Sequence, residues 1–313
     1  MSKRTDFSKE RRTQGRSLSA AVHELAELMK TVAEQQGVDL QALLNEAAAR
    51  GAEERQQLAE RLQQSVVPLF IGDDKGRPGG IGSCVLVRLG SDFFAFTAAH
   101  VIRDAGSSRL WAPSEGKGGK LLPLPQCTAY LSSSSNRDDL DVGVLVLPAR
   151  ELGAFQQRVF LTGTEIDQDD LSDDGGIASF YFVLGYPASR IQVKVSNAAR
   201  HIDQKSFHCT TSPVAVAEYL QEEMSQSDHI LLDFDHKETV IGGKRVKPPK
   251  LEGVSGGGVF HISRHTKQGP LVAIATRNLP NTRLPRLIAG TRLKHFLAMV
   301  RELKATSAPE LFR

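Results

Sequence analysis

The sequence has little cysteine and lacks long apolar runs. Its three cysteines in 313 residues, Cys84, Cys127 and Cys209, are an odd number and too few for a disulfide framework, which favours a reducing compartment. No run approaches the roughly 18 consecutive apolar residues of a membrane-spanning helix, and the N-terminal segment has no apolar signal region. We therefore expect a cytoplasmic protein with no membrane partner.

The sequence also lacks a large excess of positive or negative charge, since it has 39 Lys and Arg and 36 Asp and Glu residues. The formal net charge of +3 is too small to indicate a nucleic-acid partner. His261 and His265 have a ligand-like spacing, but on a strand the two side chains would lie about 13 Å apart. The sequence therefore predicts no metal site and no cofactor.

The N-terminal part of the chain has a helical pattern. Residues 1–16 are basic and are predicted to be a disordered tail, whereas 17–65 carry apolar residues three and four apart. This predicts a helical hairpin in which Asp39 caps the second helix, unless Gly51 divides that helix into two shorter ones. The apolar faces could pack on the rest of the chain, form a homo-oligomer or bind a regulatory protein, and the pattern leaves these three open.

From residue 66 the pattern changes to short apolar runs separated by Gly, Pro, Asp and Ser. Such a series predicts an all-β barrel or sandwich. The predicted strands fall into a first set, 66–71, 81–89, 93–96, 109–112, 126–131 and 142–147, and a second set, 177–184, 191–195, 207–211, 230–234, 259–262, 271–276 and 287–290. A helix with one apolar face is predicted over 292–305, followed by a tail at 306–313.

A serine lies between glycines in Gly253-Val254-Ser255-Gly256-Gly257. Glycine permits a sharp turn, on which a serine hydroxyl can be exposed beside converging N–H groups. This motif also fits the nucleophile elbow of the α/β-hydrolases, whose acid and histidine follow the serine. No aspartate follows Ser255, and neither later glutamate precedes a histidine, so that alternative is excluded.

Two further motifs precede the serine. Thr97-Ala98-Ala99-His100 ends a predicted strand, and Asp141 begins the apolar run 142–147. The chain order is therefore His, Asp, Ser, which is one of the orders in which a Ser-His-Asp triad occurs.

These three motifs together resemble the chymotrypsin/trypsin-like serine proteases, in the form of a bacterial-type trypsin-like peptidase domain. The resemblance covers 66–305 and implies a mainly β fold with two six-stranded antiparallel barrels, at about 66–150 and 175–291, before the C-terminal helix. It implies a serine endopeptidase acting on a protein or peptide, with catalytic residues His100, Asp141 and Ser255. The alternatives are a catalytically silent binding or scaffold protein, and an esterase using the same serine.

The resemblance also assigns supporting residues. It implies an oxyanion hole made by the N–H groups of Gly253 and Ser255, and Asp139 is the alternative to Asp141 as the acid. The implied substrate pocket comprises Pro249, Glu252, Thr276, Arg277 and Asn278. Within it, Thr276 is expected to donate to Asp141, and Arg277 would favour an acidic substrate side chain whereas Glu252 would oppose it.

The sequence departs from the family at two positions near the serine. Val254 stands where secreted zymogens carry the aspartate that pairs with a newly cut N-terminus, so activation by that route is not expected. Gly258 stands where proline is common, which predicts a more flexible oxyanion loop. We therefore hypothesise that the helices of 17–65, or a partner bound to them, control the order of this loop.

Overall fold

The structure is a computed structural model that describes residues 39–72, 78–106, 109–113, 121–124, 127–132, 140–155, 157–167, 180–195, 200–234, 239–241, 244–262, 269–279 and 287–306. The predicted basic tail, the first helix of the hairpin and the residues after 306 lie outside these ranges. The chain divides into two compact units, Met1–Gln56 and Gln57–Arg313.

The N-terminal helix, α1 (Leu40–Gln63), begins where the sequence predicts. Asp39 Oδ1 accepts the Ala42 N–H at 3.0 Å, which satisfies one of the unpaired donors of the first turn. The helix continues through Gly51 without interruption, so the alternative of two shorter helices is wrong. In its last turns, which belong to the second unit, Ala59 and Leu62 are buried in the hydrophobic core.

The second unit begins with a seven-stranded antiparallel sheet. Its strands are β1 (Val66–Gly72), β2 (Pro78–Leu89), β3 (Asp92–Ala98), β4 (Leu110–Pro113), β5 (Leu121–Pro123), β6 (Thr128–Leu131) and β7 (Val142–Leu147). They are ordered β5-β4-β1-β2-β3-β7-β6. A short helix, α2 (Ala99–Ala105), follows β3 without a connecting loop.

The remaining strands and α-helices, in chain order, are β8 (Phe180–Gly185), β9 (Ile191–Val195), β10 (Arg200–Gln204), β11 (Phe207–Thr211), α3 (Val216–Gln221), β12 (His229–Asp233), β13 (Thr239–Ile241), β14 (Lys244–Val246), β15 (Gly258–Ile262), β16 (Leu271–Leu279), β17 (Leu287–Arg292) and α4 (Leu293–Thr306). Six of these strands form a second antiparallel sheet, in the order β11-β8-β15-β16-β17-β12. Strands β9 and β10, and likewise β13 and β14, form separate two-stranded sheets.

One hydrophobic cluster joins the two large sheets and α4. Phe96 of the first sheet, Phe182 and Phe260 of the second, and Phe296 of α4 all belong to it. The rings of Phe96 and Phe296 lie 5.3 Å apart. Each sheet also has its own apolar cluster, so the fold consists of two curled sheets packed together, with α4 covering part of the junction.

The predicted mainly β fold with two antiparallel barrels and a C-terminal helix is confirmed, with each barrel present as a curled antiparallel sheet. Of the predicted N-terminal hairpin, the second helix is present and the first lies outside the described residues. The first sheet has seven strands instead of the expected six because Leu121–Pro123 forms a strand that is too short to show alternation in the sequence. None of the described helices is long and apolar enough to cross a membrane.

Candidate active site

The pairing of β3 with β7 brings His100 and Asp141 together. Ala98 pairs with Val142, so the residues just beyond these two strand ends are adjacent. His100 Nδ1 lies 2.6 Å from Asp141 Oδ2, and the His100 backbone N–H donates to Asp141 Oδ1 at 2.9 Å. Asp141 has a φ of +48°, a left-handed conformation that is strained for a residue with a side chain. The strand ends therefore hold a carboxylate against the Nδ1 edge of the imidazole.

Asp141 is almost completely buried, with 3% of its surface exposed. Burial raises the pKa of this carboxyl group, but the hydrogen bonds and charge of His100, together with the charge of Arg103, outweigh burial and place its pKa below the usual value. Arg103 Nη2 donates to Asp141 Oδ1 at 3.0 Å. Asp141 is therefore a buried anion with three donors on its two oxygen atoms.

Arg103 was not among the predicted site residues. Its one available signal was its position three residues after His100 on a helix, because residues at that spacing lie on the same face. Instead, Thr276 was expected to donate to Asp141, and this prediction is wrong. Thr276 Oγ1 lies 3.4 Å from the Ala289 carbonyl oxygen and 3.4 Å from Thr291 Oγ1.

Ser255 lies in a turn that leads into β15. Gly253 and Gly256, on either side of it, have φ values of +91° and +85°, which strongly favour glycine. Gly256 also lies against the first sheet, since a Cβ atom there would be 1.9 Å from the Ser83 carbonyl oxygen. The glycines of the motif are thus required by backbone conformation and by the close approach of β2.

Strand β2 connects this turn to the region of His100. The Ser83 N–H donates to the Ser255 carbonyl oxygen at 2.7 Å. A Cβ atom on the neighbouring Gly82 would lie 3.0 Å from that same oxygen and 2.6 Å from the side chain of Val101 in α2. The Ser255 turn and α2 therefore contact the same point of β2. In the part of the chain that the structure describes, the Ser255 hydroxyl makes no hydrogen bond to His100.

The N–H groups of Gly253 and Ser255 point away from the hydrogen bonds that hold the turn in place. The Glu252 carbonyl accepts from Ala188 N–H at 2.7 Å, and the Val254 carbonyl accepts from Gly257 N–H at 2.8 Å. Because a trans peptide directs its C=O and N–H oppositely, the N–H groups of Gly253 and Ser255 point the other way. Within the described ranges neither N–H donates to a protein acceptor. These two groups are the predicted oxyanion donors.

The predicted substrate-pocket residues are only partly described. Glu252 is exposed, Pro249 is half-buried and Thr276 is buried. The backbones of Arg277 and Asn278 pair with β17, but their side chains lie outside the described part of the chain. Asp139, the alternative acid, also lies outside it. Among the described residues, no group of three or more His, Cys, Asp or Glu side chains is placed to hold a metal ion.

No protein-family model and no curated protein matches this chain. Among solved structures, the chain is similar to the crystal structure of a thermostable serine protease, AL20, from an extremophilic microorganism. The two are 15% identical, the match covers 80% of this chain and 100% of the other, and the TM-score is 0.44. A similarity of this size does not assign a function.

Proposed function

We propose that this chain is a serine endopeptidase that hydrolyses peptide bonds through Ser255, His100 and Asp141. The observation that carries the proposal is the His100–Asp141 pair, whose Nδ1–Oδ2 distance is 2.6 Å. His100 lies on α2 and Asp141 directly precedes β7, and the Ser255 turn contacts the same strand as α2. A buried carboxylate on Nδ1 holds the proton there and leaves Nε2 free to act as a base.

The proposed reaction is acyl transfer to Ser255 followed by hydrolysis. Ser255 Oγ attacks the peptide carbonyl carbon while His100 Nε2 takes the hydroxyl proton. The carbonyl oxygen becomes an anion and accepts hydrogen bonds from the N–H groups of Gly253 and Ser255. The intermediate then collapses, the C–N bond breaks, and His100 gives its proton to the departing amine. Water, deprotonated by His100, hydrolyses the acyl-Ser255 and regenerates the enzyme.

The alternative of a silent binding protein gives no reason for the two unpaired N–H groups beside Ser255. Gly253 and Ser255 are half-buried, and among the described residues their N–H groups have no protein acceptor, so both can receive a ligand oxygen. A buried anion such as Asp141 must be stabilised by its surroundings. A protein that only binds would gain nothing from either feature at this place. The proposed enzyme uses both, because the donors bind the oxyanion and Asp141 stabilises the imidazolium.

The test is labelling of the full chain with a fluorophosphonate, followed by hydrolysis of a peptide library. We expect labelling of the native protein at Ser255, and its loss in Ser255→Ala and His100→Ala. The control is Ser65→Ala, because Ser65 is a buried serine that directly precedes β1 and donates its hydroxyl to the Leu62 carbonyl. Absence of labelling would favour the silent scaffold, and turnover of small esters without peptide cleavage would favour the esterase.

We also propose that the N-terminal helical region regulates this site. Gln63, at the end of α1, hydrogen-bonds the buried phenol of Tyr186. Burial raises the pKa of this phenol, so it stays protonated. Two residues later, Ala188 holds the Glu252 carbonyl. A movement of α1 can therefore reach the oxyanion donors through one short segment, 186–188.

A further inference from the structure

Ser83 binds the segments around the Ser255 turn through both its hydroxyl and its N–H. It is fully buried on β2, in the first sheet. Its hydroxyl donates to the Gly253 carbonyl at 2.9 Å and accepts from the Tyr186 N–H at 2.9 Å. Its N–H donates to the Ser255 carbonyl at 2.7 Å, and its own carbonyl accepts from Thr97 Oγ1 at 2.7 Å. One serine therefore connects the first sheet to two separate segments of the second.

Hydrogen bonds from Ala188 and from Ser83 fix the two peptide planes on either side of Gly253. The preceding plane is held by the bond from Ala188 N–H to the Glu252 carbonyl. The following plane is held by the Ser83 hydroxyl on the Gly253 carbonyl and by the Val254 N–H on the Leu251 carbonyl. A glycine at φ +91° has wide rotational freedom when it is not constrained. Rotation of the preceding plane would direct the Glu252 carbonyl, instead of the Gly253 N–H, toward the oxyanion.

We propose that Ser83 is a positioning residue for the oxyanion hole. Its hydroxyl joins the Gly253 carbonyl to the Tyr186 N–H and so keeps the segments 252–255 and 186–188 in register. Ser83 does not touch the substrate, and its effect on catalysis passes through the Gly253 N–H. The catalytic part of this inference rests on the proposed peptidase function, whereas the structural part does not.

The variant that tests it is Ser83→Ala, which removes the hydroxyl and leaves the Gly253 carbonyl and the Tyr186 N–H without that partner. Loss of an oxyanion donor lowers kcat about 10²–10³-fold, and a donor that is only less well held should cost about 10–100-fold. We expect KM to change less than about threefold, because the oxyanion exists only after attack. Ser83→Cys, which keeps a weaker donor in a similar volume, should restore part of kcat.

Ser65→Ala is the matched control. Ser65 is also fully buried, and its hydroxyl donates to the Leu62 carbonyl at 2.7 Å. We expect both variants to lower the denaturation midpoint, Ser83→Ala by more, because the Leu62 carbonyl still accepts from the Ser65 N–H at 3.0 Å in Ser65→Ala. Only Ser83→Ala should lower kcat, measured well below both midpoints. Equal kcat values for both variants and the native enzyme would overturn the proposal. If Ser83→Ala does not fold, a fully active Ser83→Cys would overturn it as well.

Hydrogen exchange of the backbone amides in 251–258 tests the same contact without any substrate. We expect exchange there to rise about tenfold in Ser83→Ala relative to Ser65→Ala, because a local opening becomes easier. If the native chain fails to cleave peptides but this change appears, the structural role of Ser83 stands and the proposed function fails. If the chain is active and exchange does not change, the inference about Ser83 fails and the function stands.

Discussion

Replacing Asp141 with asparagine tests the charged pair with almost no change of shape. The carboxylate accepts from His100 Nδ1, the His100 backbone N–H and Arg103 Nη2 at 2.6, 2.9 and 3.0 Å. An asparagine has one oxygen and one NH₂ group, so it cannot accept all of these bonds. If its NH₂ group faces the imidazole, Nδ1 must become the acceptor and the proton moves to Nε2. His100 then cannot take the proton of Ser255.

In Ser-His-Asp enzymes this loss of the base is large, and the same substitution lowers kcat about 10⁴-fold. We expect a fall of that order in the second-order rate of fluorophosphonate labelling at neutral pH. The matched control is Asp228→Asn, because Asp228 Oδ1 lies 2.9 Å from His295 Nε2 in another aspartate–histidine pair. That variant should label within about twofold of the native rate, since a partly exposed pair of this kind contributes little.

The same variant has a predictable dependence of stability on pH. The pKa of Asp141 is below its usual value in the folded protein, so the folded state binds the proton less well than the unfolded state. Its contribution is present above the unfolded pKa of about 3.9 and is lost as the pH falls through the folded pKa. We expect Asp141→Asn to lower the free energy of unfolding by about 2–3 kcal/mol at pH 7, from the charged hydrogen bonds it loses.

This difference should decrease as the pH is lowered below 4. Urea unfolding of both proteins between pH 3 and 7, read by fluorescence, measures it. A labelling rate within tenfold of the native value would show that His100 does not depend on Asp141. A stability difference that grows in acid would show that the sign of the linkage is wrong.

Three further predictions concern the supports of the site. Gly256→Ala should lower the free energy of unfolding in urea by at least about 3 kcal/mol. The control, Gly90→Ala, should lower it by about 1 kcal/mol. Both glycines have positive φ, but only Gly256 has no space for a Cβ atom. Equal costs would contradict this. Arg103→Met should lower the labelling rate about 3–10-fold, since it removes one of three donors to Asp141, and a loss as large as that of Asp141→Asn would contradict this. Gln63→Ala should lower kcat a few-fold at constant KM if α1 regulates the oxyanion donors, and an unchanged kcat would contradict the proposed route.

The strands of the two sheets could be predicted where their apolar runs were long enough. Runs such as 142–147 and 207–211 coincide with β7 and β11. The three-residue strands were missed, including β14 (Lys244–Val246), because so few residues do not show a period. Gly51 does not interrupt α1, as one alternative had predicted. A glycine destabilises a helix by about 1 kcal/mol, which is small for a helix of 24 residues whose end is buried in the core.

The candidate triad could be predicted because each of its members carries a local motif. The residues that support the candidate triad carry no such local motif. Arg103, Ser83 and Ala188 contribute through contacts with chain segments 38, 170 and 64 residues away, and sequence spacing does not show which of many surface arginines or buried serines makes such a contact. Thr276 shows the converse, because an expectation taken from the family placed it on Asp141, where Arg103 is found instead.

The two parts of the sequence signal therefore have different physical meanings. The glycines of the serine motif are required by the turn, because Gly253 and Gly256 need positive φ and Gly256 lies against the Ser83 carbonyl. Any protein that packs its second sheet onto its first in this way needs them, whether or not it is an enzyme. Packing, however, does not require a buried aspartate at positive φ with its oxygen 2.6 Å from an imidazole. The His100–Asp141 pair, and not the glycine motif, is the stronger reason to expect catalysis.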